Sequence, residues 1–177
     1  MQSVRFALVV LVILPACTGL PAANVERAAL ERAEVPMRDA SGRDLGTLTL
    51  TNAPGGLMLT GGVRGLPPGT HGIHVHTTGR CEPTFESAGP HWNPMSRQHG
   101  TLNPQGPHLG DMPNISVSSD SSAAASVMTP GGTLRGADAL LDADGAAVVI
   151  HANADDYRTD PSGNSGSRIA CGVVRGR

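Results

Sequence analysis

The chain has 177 residues, 39% hydrophobic and only 2% aromatic, with a formal net charge of -2; this is enough for one domain with a real core besides a leader. All 13 basic residues are arginine and they are scattered, which excludes a nucleic-acid footprint and a polybasic membrane patch. The 23 glycines and 14 prolines favour short strands joined by turns over helices.

The first element is a leader. One positive residue, Arg5, precedes the apolar run 6–14, which is too short to span a bilayer and reads as an export signal. The run ends in Leu14-Pro-Ala-Cys17, which resembles the bacterial lipobox and implies that Cys17 is acylated and becomes the first mature residue. Ordinary cleavage after Pro21-Ala-Ala23 is the alternative and would leave Cys17 in the discarded leader. Residues 24–33 hold helix formers without an apolar stripe, a tether or short helix. The expected division is therefore a signal over 1–16, a tether over 17–33 and a domain over 34–177.

From Glu34 the pattern changes to period two. Residues 35–38 and 45–51 flank the turn Asp39-Ala-Ser-Gly-Arg43 and predict an antiparallel pair. Asn52-Ala-Pro-Gly-Gly56 turns the chain into a third strand reaching Val63, and Gly65-Leu-Pro-Pro-Gly69 crosses over to the next. Further strands are expected at 73–76, 115–117, 123–128, 139–141, 146–151 after the turn Asp142-Ala-Asp-Gly145, and 168–174. Seven or eight short strands without βαβ spacing mean an all-β antiparallel sandwich or flattened barrel.

Six of the seven histidines fall between His71 and His108. In His71-Gly-Ile-His-Val-His76 the alternation puts His74 and His76 on one face of a strand and Ile73 and Val75 on the other. That geometry suits two imidazoles converging on one metal, with the apolar pair anchoring the strand. Downstream, His91, His99, His108 and Asp111 sit among Gly, Pro, Asn and Gln, the composition of a long loop; a metal is an economical way to hold it. The last histidine, His151, ends the apolar run 147–150. Of the three cysteines, Cys81 and Cys171 remain as a pair if Cys17 is lipidated or removed, and an oxidising compartment lets them join.

Six motifs now stand in order: His71-Gly-Ile-His-Val-His76, Gly89-Pro-His-Trp-Asn-Pro94, His99, His108-Leu-Gly-Asp-Met-Pro113, His151 with Asp155-Asp156, and Gly163-Asn-Ser-Gly-Ser-Arg-Ile-Ala-Cys-Gly172. Together, over residues 35–174, they resemble copper-zinc superoxide dismutase, in the exported bacterial branch. The resemblance implies an eight-stranded Greek-key barrel with long metal-binding loops. It implies copper on His74, His76, His91 and His151 and zinc on His91, His99, His108 and Asp111, with His91 shared as an imidazolate. Ligand chemistry agrees with that division: four imidazoles suit copper cycling between its two oxidation states, and three imidazoles with a carboxylate suit tetrahedral, redox-inert zinc. Asp155 would hydrogen-bond a copper histidine and a zinc histidine. His71 would bind backbone behind the copper strand, and the guanidinium of Arg168 would stand beside the open copper face, where it attracts and orients a small anion.

Three departures from the well-known cytosolic enzymes stand out. The segment between His151 and Arg168 is shorter, lacks lysine and carries Asp155, Asp156 and Asp160 against Arg158, three acids and one base for a net charge of -2. Fast steering of substrate is therefore in question, although Arg168 is present. The step from His76 to Cys81 is short, as in the secreted branch, and Trp92 replaces a phenylalanine.

The implied function is dismutation of superoxide to dioxygen and hydrogen peroxide in the periplasm or at the cell surface, with a lipid on Cys17 as the sole membrane contact. Homodimers belong to the family's repertoire and rest on surfaces that differ between its branches. The alternative function is an extracytoplasmic copper/zinc-binding module without turnover; such a module would be expected to lack copper ligands or the arginine, and this chain has them all.

Overall fold

A computed structural model describes residues 31–136 and 139–176. The expected signal over 1–16, most of the tether over 17–33, Cys17 and the alternative cleavage site at 21–23 lie outside the described residues. Among the described residues no helix is long and apolar enough to cross a membrane.

The fold is all-β. Its strands are β1 (Arg32–Asp39), β2 (Asp44–Ala53), β3 (Gly56–Arg64), β4 (Gly69–His71), β5 (Ile73–His76), β6 (Ile115–Val117), β7 (Ser122–Met128), β8 (Ala147–His151), β9 (Arg168–Val173) and β10 (Arg175–Gly176). An eight-stranded antiparallel sheet runs β5-β8-β9-β1-β2-β3-β7 with β10 on β1, while β4 and β6 form a separate pair. The β5–β8, β9–β1 and β3–β7 neighbours are not consecutive in sequence, so the connections cross over in Greek-key fashion.

Local chemistry explains the elements. In the β1–β2 turn, Asp39 Oδ1 accepts from the backbone N–H groups of Ser41 and Arg43, and Gly42 takes φ 84°, where a side chain would be strained. Apolar residues at alternate positions, Val35 and Met37 on β1, Leu48 and Leu50 on β2, Leu57 and Leu59 on β3, point into one core and are fully buried. β8 is buried on both faces: Val148 and Ile150 join that core, whereas Ala147 and Val149 pack with Phe85, Ala88 and Cys171 in a second, smaller one. This is why its sequence is continuously apolar rather than alternating.

The strand expected at 139–141 is absent. Leu140 N–H instead donates to Thr133 O and Leu141 N–H to Leu134 O, folding the loop on itself so that Leu134 and Leu140 plug the main core. Burial of two leucines satisfies that stretch without sheet pairing. β1 begins at Arg32, with Ala33 already fully buried, and β4 arises within the crossover that follows Gly65.

Candidate metal centre

β5 carries Ile73 and Val75 into the main core and leaves His74 and His76 on its other face, where both rings are fully buried. β8 delivers His151 at its end, and the long loop after β5 returns His91, which bridges to His76, and Asp111, which bridges to His74. One nitrogen each of His74, His76, His91 and His151 lies within 4.8 Å of the others, and a second group of the same tightness joins His91, His99, His108 and Asp111.

In the first group the far nitrogens are spoken for. His74 Nε2 donates to Asp155 Oδ2 at 2.8 Å, His76 Nδ1 to Gly89 O at 2.8 Å and His151 Nδ1 to Gly166 O at 3.2 Å. Those acceptors fix the tautomers and leave a lone pair on His74 Nδ1, His76 Nε2 and His151 Nε2; these three atoms and His91 Nε2 are buried without a hydrogen-bond partner among the described residues. Burial lowers the pKa of His74 and His151 to about 4, of His91 to about 3, and of His76 well below its ordinary value. The rings are therefore neutral at pH 7, the state that ligates a metal.

The second group converges on Asp111. Gly100 and His108 donate their backbone N–H groups to Oδ2, turning Oδ1 toward His91 Nδ1 at 2.9 Å, His99 Nδ1 at 3.0 Å and His108 Nδ1 at 3.2 Å. His99 Nδ1 stands that close without hydrogen-bond geometry, so among the described residues it has no hydrogen-bond partner and is open to a cation. A tetrahedron with metal bonds of 2.0–2.1 Å has edges of roughly 3.3 Å, close to these separations. The donors thus fit a four-coordinate cation. These contacts hold the Asp111 carboxyl far below the usual carboxylate range against the opposing effect of burial. In His99, likewise, burial is outweighed by Asp111 and Asp155, and the pKa rises to about 9.

Asp155 ties the groups together: its Oδ2 accepts from His74 and its Oδ1 from His99 Nε2 at 2.9 Å. His74, His99 and Asp155 also lie close enough to form a third trio, but there both rings donate to the carboxylate, so it is a hydrogen-bonded bridge rather than a ligand set. The His71 ring lies between His151 O (2.8 Å from Nδ1) and Pro67 O (2.9 Å from Nε2), behind the strand end that carries His151.

Arg168 stands opposite His151 because the β8–β9 register shifts after Ile150. Its Nη1 donates to Phe85 O at 2.7 Å and Nη2 to Gly89 O at 2.9 Å. It lines a cleft of about 480 Å³ together with His91 and His151. The turn it grips is fastened to β9 by a disulfide between Cys81 and Cys171, whose Cα atoms are 5.7 Å apart.

Three supporting roles escape a reading of the sequence. Asn114 pairs with Asp155 through two hydrogen bonds of 2.9 Å to its backbone. Asp160 Oδ1 accepts the backbone N–H of His99 at 2.6 Å. Gly163, at φ 63°, packs so tightly against the bridge that a β-carbon there would overlap Asp155 Oδ1 and lie 2.7 Å from His99 Nε2. Only the glycine-rich composition around 163–166 hints at such close approach.

Comparison with known proteins agrees with this arrangement. Residues 45–174 match the family model "Copper/zinc superoxide dismutase (SODC)". The chain is similar to a "Superoxide dismutase [Cu-Zn]" of Caulobacter vibrioides, 44% identical over 144 residues that cover 78% of this chain and 83% of that one. Among solved structures it is similar to a SOD-like protein from Bacillus subtilis (40% identity, TM-score 0.75, 79% of this chain and 96% of that one). It is also similar to the Cu/Zn superoxide dismutase from Brucella abortus (32% identity, TM-score 0.66, 81% and 99%). With the match spanning both histidine groups, the cysteine pair and Arg168, the chain belongs to the copper/zinc superoxide dismutase family.

Proposed function

We propose that the chain is an exported superoxide dismutase, converting superoxide to dioxygen and hydrogen peroxide with copper on His74, His76, His91 and His151 and zinc on His91, His99, His108 and Asp111. The observation that carries this reading is a set of five buried ring nitrogens without hydrogen-bond partners among the described residues, on His74, His76, His91, His99 and His151. Left bare, each such group costs about 1–3 kcal/mol; a cation in each group removes that penalty. Copper in the first set would supply the one-electron chemistry, and zinc in the second would hold the loop.

The chain's own residues do the rest. Arg168, pinned by two carbonyls, attracts the superoxide anion into the cleft and orients it. His91 belongs to both sets and lines the same cleft, and its Nε2 is where a proton can be held and handed to the peroxide product. Asp155 keeps His74 and His99 in the tautomers that ligation needs.

Residues 1–16 serve as the export signal, Cys17 as the acylated first residue of the tether, and 34–177 as the catalytic domain outside the cytoplasm. The Cys81–Cys171 bridge supports an oxidising compartment. Purified, metal-loaded protein should contain about one copper and one zinc per chain, as two four-ligand sets require, and should accelerate superoxide decay; activity that survives complete copper removal overturns the reading. Cys17→Ser should release the domain from the membrane fraction or block its processing without changing activity per folded molecule. Each buried methylene of a lipid contributes about 0.8 kcal/mol, so several chains on one residue suffice for attachment. Retention of normally processed Cys17→Ser protein would point to a different anchor.

A further inference from the structure

The geometry points to Glu86 as an internal competitor for Arg168: a carboxylate at the mouth of the cleft that sets how strongly small anions are drawn in. Its consequence for superoxide rests on the dismutase reading; its effect on anion binding does not.

The two partners are held very differently. The Arg168 side chain is 15% exposed and fixed by Phe85 O and Gly89 O, whereas the Glu86 side chain is 75% exposed, with Oε2 3.5 Å from Nη2. Glu86 makes no side-chain hydrogen bond among the described residues, and its backbone, not its carboxylate, closes the short 3-10 turn through Gly89 N–H to Glu86 O at 3.0 Å. The guanidinium therefore keeps its place without Glu86. Both side chains line the cleft that reaches His91 and His151, and the other lining residues, Gly89, Pro90, Pro161, Ser162 and Gly166, carry no charge. Arg168 is thus the cation of this mouth and Glu86 its anion, and their charges cancel at short range.

An entering anion must displace Glu86 from the guanidinium or share it. An exposed ion pair is weak and screened by salt, so the carboxylate tunes attraction without blocking the site. Removing its charge should strengthen anion binding, whereas a Glu86 that positions Arg168 would weaken binding when neutralised.

The test uses copper- and zinc-loaded full-length protein carrying Glu86→Gln, with Glu82→Gln as a control on the same exposed loop but outside the cleft. Azide is the anion probe, titrated on the visible absorption of the copper, and superoxide decay is measured separately. Glu86→Gln should tighten azide binding and raise the superoxide rate constant by about two- to fivefold at low salt, with the difference closing as ionic strength rises. Glu82→Gln should move both much less. Unchanged or weakened azide binding in Glu86→Gln overturns the inference, as does an equal effect in Glu82→Gln or a gain that persists at high salt. A wild-type protein that binds azide but leaves superoxide untouched would sink the dismutase reading alone, and the azide comparison would still decide the role of Glu86.

Discussion

His76 and Arg168 donate to one and the same carbonyl oxygen, that of Gly89, at 2.8 Å from Nδ1 and 2.9 Å from Nη2. The ring that offers Nε2 to the first metal set and the cation that lines the cleft are thereby set in register by a single peptide group.

Replacing Arg168 tests that cation. The segment between His151 and Arg168 has a net charge of -2, three acids against one base, so on the proposed function this guanidinium should carry an unusually large share of the attraction. Arg168→Glu should lower the superoxide rate constant by an order of magnitude or more with copper and zinc contents unchanged, and Arg168→Lys should fall between, since lysine keeps charge but loses the planar fork. The wild-type rate should fall as salt rises, and the glutamate variant should lose or invert that trend. A near-normal Arg168→Glu rate together with a salt-indifferent wild type would reduce Arg168 to a fastener of the 85–89 turn.

His151→Ala separates the two sets. His151 belongs to the first group only. The variant should lose copper and copper-dependent activity while retaining zinc close to the wild-type amount by elemental analysis. Equal loss of both metals would show that the sets act as one unit.

The carboxylate bridge makes the converse prediction. Asp155→Asn keeps the shape but removes a charge that two rings use, so affinity for both metals should fall, by about 10–100-fold as is usual for such supporting partners. Gly163→Ala, which thrusts a methyl group against Asp155 Oδ1, should act in the same direction. Competition with a chelator measures both. Loss of one metal alone from Asp155→Asn would contradict a shared bridge.

Metal-free protein should be most stable near neutral pH. The ordinary value for these rings is 6.5, and burial lowers His74 and His151 to about 4 and His91 to about 3. The unfolded chain binds those protons first, so stability present above pH 6.5 is lost as pH falls toward 4. His99 runs the other way: raised to about 9, its contribution is complete below 6.5 and lost as pH rises through 9. Melting temperatures of the apoprotein should therefore decline on both sides, more steeply in acid, and metal loading should raise them throughout. An apoprotein that gains stability between pH 6.5 and 5 would rule out burial of neutral rings.

Much of this centre is legible in the residues because strand geometry is simple. Alternation alone puts Ile73 and Val75 on one face and His74 and His76 on the other, and β5 occupies those four residues. The place of His151 in the first group is not legible locally, since it ends a strand that could as well carry a surface cap; only its position among the other motifs marks it. Asn114, Asp160 and the carbonyls of Phe85 and Gly89 leave no sequence signal, because their work depends on tertiary approach or on backbone atoms that every residue has. The loop at 139–141 misleads for a related reason: a short apolar run fills a core equally well as a strand or as a folded loop, and local pattern does not distinguish them.

β8 has a core on each side of it, the larger one around Val148 and Ile150 and the smaller one under Phe85. Its amides can meet solvent only if one of those layers comes away, so the hydrogens of Val148, Val149 and Ile150 should be among the slowest in the molecule to exchange with deuterium. His151 is the next residue along. The buried imidazole that lines the cleft is thus moored to a stretch of backbone that should seldom open, while Glu86, across the same cleft, is an exposed side chain on a single short turn.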